Sequence, residues 1–149
     1  MDWSVFDFLV AALLLVLLFG AIGLIFVRRW SWLYRLGLEL SLITGALLFW
    51  VAGAVGLIGG AAHDANMAYP AMLTLGLIGS VVVRFKASGL ALLLGGLGIA
   101  QLAIGLIAVL AGLGQDSQRW PDDILATSFI FSLLWLSAGF CFWRDWKTR

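Results

Sequence analysis

Short polar breaks divide the chain into apolar runs at 8–27, 40–60, 67–83, 90–113 and 124–142. A helix rises ~1.5 Å per residue and the hydrocarbon core of a bilayer is about 30 Å thick, so one crossing takes roughly 20 residues. Four runs reach that length. The third, between Asn66 and Arg84, is short and carries Pro70 near its start, where a missing backbone N–H costs little; a re-entrant segment is the alternative there. Inside hydrocarbon every backbone polar group needs an internal partner, and a long apolar run meets that need as a helix. The expected fold is therefore all-α: a polytopic integral membrane protein, a bundle of five transmembrane helices in a single domain over 1–149. Composition agrees, with 63% hydrophobic and 11% charged residues, where soluble domains have about half and about a quarter.

The placement of charge sets the expected orientation. Arg28, Arg29 and Arg35 follow the first run, Arg84 and Lys86 the third, and Arg144, Lys147 and Arg149 the fifth. The other ends hold Asp2 and Asp7, then His63 and Asp64, then Asp116, Arg119, Asp122 and Asp123. All but one of the 9 Lys and Arg fall on one side, which the positive-inside rule makes cytoplasmic: N-terminus out, C-terminus in. A four-span arrangement would leave two of the basic clusters on the far side. The first run lacks the positive start of a signal peptide and is expected to stay in the protein. Trp3, Trp30, Trp32, Trp120, Trp143 and Trp146 lie at span ends, where an indole anchors in the headgroup region.

Several chemistries are excluded at this level. Charge is too sparse for a nucleic-acid surface. One cysteine and one histidine cannot form an internal disulfide, a four-ligand zinc site or a bis-histidine haem. No phosphate-binding loop, HExxH, GxSxG or paired-carboxylate pattern is present. No catalytic, metal or cofactor site is expected, and the chain does not read as an enzyme.

The helices do carry packing faces. Ala91, Gly95, Gly98, Gln101, Gly105, Ala108 and Gly112 fall on one face of the fourth run. Small residues let helix backbones approach where lipid gives no hydrophobic drive. The second run offers Ser41, Gly45, Ala52, Gly56 and Gly60, the last two at GxxxG spacing, and the fifth offers Ser128, Ser132, Trp135 and Gly139. The second and fourth runs are expected at the bundle centre.

Six polar residues are candidates for function. Gln101 lies mid-run on the small-residue stripe; it is either an interhelical hydrogen bond worth ~0.6–2 kcal/mol or a polar group on a substrate path. Glu39, an acid at the edge of the hydrocarbon, is either an ion pair with Arg35 one turn away or a proton-relay or cation site. His63, Asp64, Asn66 and Tyr69 belong to the loop between the second and third runs. Asn66 is placed to cap the third helix, and an imidazole beside a carboxylate can orient a proton transfer or hold a quinone headgroup. Asp122 and Asp123 follow Pro121 where negative charge favours a helix start.

The pairs Asp7-Phe8, Tyr34-Arg35, Arg84-Phe85 and Ala100-Gln101, the stretch WVAGAVGLIG at 50–59 and Ala65-Asn66 with Tyr69 resemble a group of small bacterial inner-membrane proteins. The resemblance implies a cell inner membrane location and says nothing about mechanism. Together these readings lead to a small non-catalytic integral membrane protein, an accessory or interaction subunit or a homo-oligomer. Its partners are then the lipid bilayer and other membrane helices, with no nucleic acid and no cofactor. Two alternatives remain: a small transporter or channel with a pathway near Gln101, and a quinone-binding or redox-associated subunit using the His63 loop.

Overall fold

The computed structural model describes residues 30–115 and 117–149. Four α-helices occupy them: α1 Trp32–Ala54, α2 Ala68–Val82, α3 Ala87–Leu110 and α4 Asp122–Thr148, with a 3-10 turn Asp64–Met67 leading into α2. All are long and apolar enough to cross a membrane when α2 is counted with that turn, and the described residues contain no strand. The run at 8–27 lies outside the described residues, as do Asp2, Trp3, Asp7, Arg28, Arg29 and Asp116.

The second run needs correction at both ends. Its helix starts at Trp32 because the Ser31 hydroxyl accepts the Tyr34 amide at 3.1 Å, an N-cap that relieves one orphaned donor. Arg35 and Glu39 lower the hydropathy of the first turns without weakening the helix. The helix ends at Ala54, before the expected GxxxG pair. Gly56 sits at φ +82, and a Cβ there would lie 2.7 Å from the Gly60 carbonyl carbon. Gly56 and Gly60 therefore build a turn, and neither forms a helix-packing face.

Gly112 is likewise not part of a packing stripe. The Leu113 amide bonds Ala108 at 2.8 Å and the Gly112 amide bonds Val109 at 3.0 Å, the two bonds of a Schellman end, with Gly112 in the left-handed region at φ +68.

Contacts between side chains and glycines fix the packing. Gly76 meets Leu97 and Gly79 meets Leu93, so α2 and α3 run antiparallel. Gly105 meets Ser128, Gly98 meets Ser132 and Leu136, and Gly139 meets Ala91, so α3 and α4 are antiparallel along their whole contact. Gly37 meets Phe142 and Gly45 meets Trp135, which brings α1 against α4 beside its contact with α3. The bundle centre is thus α4: 44% of its most apolar window is buried, against 22% for α1. The second and fourth runs flank the fifth and do not form the centre themselves.

Candidate functional site

Two groups of polar side chains are built by this packing. The first closes the α1–α2 loop. Asn66 is buried, and its Oδ1 accepts the Leu57 amide at 2.9 Å and the Ile58 amide at 3.0 Å. Its Nδ2 donates to the Ile58 carbonyl at 3.2 Å and the Gly60 carbonyl at 3.0 Å. Asn66 thus clamps the loop and does not cap α2, which has no side-chain cap at its start. The capping residue is His63: its Nδ1 accepts the Ala65 amide at 3.2 Å at the head of the 3-10 turn. Asp64 is exposed. Phe49, Gly53, His63, Asp64 and Met67 border a hollow of about 240 Å³ beside this loop.

The second group lies inside the bundle. Tyr69, Gln101, Ser128 and Trp135 are 0%, 0%, 2% and 3% exposed. Both ends of the Gln101 carboxamide and the Trp135 indole N–H have no hydrogen-bond partner. Gly98 and Gly105 each face α4, and Gln101 lies between them on the same side of α3. Ser128, Ser132 and Trp135 share one face of α4, from which the Ser132 hydroxyl donates to the Gly98 carbonyl at 2.8 Å. Tyr69 on α2 and Ser128 on α4 meet side chain to side chain, each the other's polar neighbour. Three helices therefore converge polar groups on the middle of α3. The packing hydrogen bond expected of Gln101 is not made.

Glu39 joins neither group. It is half-buried on α1. The glycine stripe of the fourth run divides: Gly98 and Gly105 are buried against α4, whereas an added Cβ at Gly95 or at Gly96 finds nothing within 4 Å. Asp123 does support the start of α4, accepting the Ile124 amide at 2.8 Å and the Ser117 hydroxyl.

Asp145 escaped the sequence reading. It is 1% exposed near the end of α4 and accepts from the Ser31 hydroxyl and from Arg149 Nε at 3.0 Å. A single acid among Arg144, Lys147 and Arg149 reads as part of a solvated charge cluster, and its distant partner is invisible to local pattern. No protein-family model, curated protein or solved structure matches this chain.

Proposed function

We propose that the chain is a non-catalytic subunit of the bacterial inner membrane, crossing five times with its N-terminus out and C-terminus in, that works by assembling through α3. The observation that carries this is the outward face of that helix. Leu92, Ile99, Leu106 and Leu110 are exposed, and Gly96 and Ala103 between them are exposed too. Their spacing alternates four and three residues, a heptad seam in which the two small residues leave holes between large knobs. A flat apolar surface suffices for lipid. Holes at regular spacing suit a second helix, because in hydrocarbon close packing is the main gain of association. The occupant is a helix of a second copy or of another membrane subunit.

Cysteine cross-linking in native membranes tests this. In a Cys141→Ala background, Ile99→Cys is expected to give a disulfide-linked species on oxidation. Leu77→Cys, on an equally exposed part of α2, is expected to give none. Equal cross-linking at the two positions, with a monomer in mild detergent, would remove the assembly reading.

A further inference from the structure

Polar groups inside the bundle lack partners among the described residues. Three buried polar atoms, both ends of the Gln101 carboxamide and the Trp135 indole N–H, are unpaired, and the Tyr69 and Ser128 hydroxyls have only each other; a buried polar group without a partner is unfavourable enough to be rare in folded proteins. The obvious internal source would be the first apolar run. Its sequence from 8 to 27, FLVAALLLVLLFGAIGLIFV, contains no hydroxyl, amide, imidazole, indole or charged side chain. That run therefore adds no polar side chain to pair with them.

The chemistry of the groups restricts what those partners can be. Gln101 supplies two N–H donors and a carbonyl acceptor, each hydroxyl donates and accepts, and the Trp135 indole only donates. None is ionised. α2 and α3 contain no Asp, Glu, Lys or Arg, and those of α4 lie at its ends. Glu39 precedes Gly45, the α1 residue that meets Trp135, by roughly 9 Å along the axis at ~1.5 Å per residue. An ionic ligand would therefore sit in low dielectric without a counter-charge. Space is limited as well, since a Cβ on Gly105 would come within 2.1 Å of the Ser128 oxygen.

We propose that Tyr69, Gln101, Ser128 and Trp135 form an intramembrane site for a small uncharged molecule that both donates and accepts hydrogen bonds: water, or a solute of urea or glycerol type. Such a molecule accepts from the carboxamide N–H groups and donates to the carboxamide carbonyl beside the Tyr69 and Ser128 hydroxyls; the Trp135 indole, about two turns along α4 at ~1.5 Å per residue, donates to a second molecule of the same kind.

Hydroxyl-radical labelling of the protein in lipid nanodiscs, read by mass spectrometry, tests this, because a fully buried side chain is oxidised efficiently only where water is bound beside it. Tyr69 and Trp135 are expected to be labelled several-fold above Phe142, an equally buried side chain. Gln101→Leu should remove that excess while the elution profile stays unchanged. If that variant does not fold, Ser128→Ala serves the same purpose. Tyr69 and Trp135 as unreactive as Phe142, in a sample whose exposed Trp146 is labelled, would overturn the site. Stopped-flow shrinkage of proteoliposomes with urea or glycerol then assigns the occupant. Solute flux that Gln101→Leu abolishes identifies a solute site, and labelling without flux identifies held water.

Discussion

The Ser31 hydroxyl accepts the Tyr34 amide and donates to the Asp145 carboxylate, so one side chain starts α1 and ties it to the end of α4. A carboxylate near a helix C-terminus is unfavourable for the helix that carries it, which makes this contact the physical reason an acid can stand there. Around it, Tyr34 meets Phe142 edge-on at 5.0 Å and donates from its hydroxyl to the Phe85 carbonyl at 2.6 Å. This end of the bundle thereby gathers α1, α4 and the α2–α3 turn.

Ser31→Ala should therefore cost more than a cap alone, whose loss is about 0.5–2 kcal/mol, because it also strips a donor from a buried carboxylate. Asp145→Ala should be comparably destabilising. The double variant should cost less than the two singles together by about 0.5–3 kcal/mol, the coupling of residues in one network. Arg149 is 58% exposed, so Arg149→Ala should change stability by only ~0–1 kcal/mol. Thermal unfolding in detergent measures all four, and an additive double variant would show that the contact carries no energy.

Asn66→Ala should be the most damaging change in the α1–α2 loop. It leaves the Leu57 and Ile58 amides and two carbonyls without their partner, at about 1–3 kcal/mol for each group left buried and unpaired. His63→Ala removes one capping bond at the head of a short 3-10 turn and should cost about 0.5–2 kcal/mol. The comparison is made by unfolding of the two variants side by side; equal effects would mean that the loop is not held by the carboxamide.

These loop residues show where sequence reading stops. Hydropathy located every described helix, because ~20 apolar residues in a row have few other solutions in a membrane. The start of α1 was displaced because Arg35 and Glu39 look like a break, whereas helix formation tolerates both and Ser31 supplies the cap. Gly56 and Gly60 have GxxxG spacing, but spacing is meaningful only while the helix continues, and the helix ends at Ala54. Asn66 reads from the sequence as the cap of α2, which it is not; its partners at 57, 58 and 60 depend on a loop path no periodicity encodes. Gln101 was legible as inward-facing from the stripe around it. That it would stay unpaired was not, since this depends on where Tyr69 and Ser128 fall on two other helices.

The glycines of α3 should respond oppositely to the same substitution. An alanine methyl at Gly105 lands 2.6 Å from the Ser128 Cβ and forces α3 from α4, a strain of about 1–3 kcal/mol. At Gly96 the methyl meets open space, and alanine favours the helix by ~1 kcal/mol over glycine. Gly105→Ala should lower the unfolding temperature and Gly96→Ala should keep or raise that of the monomer in strong detergent. A Gly105→Ala variant as stable as wild type would place the α3–α4 contact further apart than the structure has it.

The orientation proposed here predicts the sign of two fusions. Arg144, Lys147 and Arg149 end the chain, Arg84 and Lys86 flank the α2–α3 turn, and the α1–α2 loop carries only His63 and Asp64. Arginine and lysine resist translocation where short loops are concerned, so the first two sites should stay in the cytoplasm and the loop should cross. A fluorescent protein joined after Arg149 should be bright, and alkaline phosphatase joined there should be inactive because it folds only outside. Phosphatase joined after Ala62, in a chain truncated at that point, should be active. The two sites differ by three crossings, at α2, α3 and α4, which requires opposite signs. Active phosphatase after Arg149 would invert the orientation, and equal activity at both sites would mean that α2 fails to cross, leaving it re-entrant as its 15 residues allow.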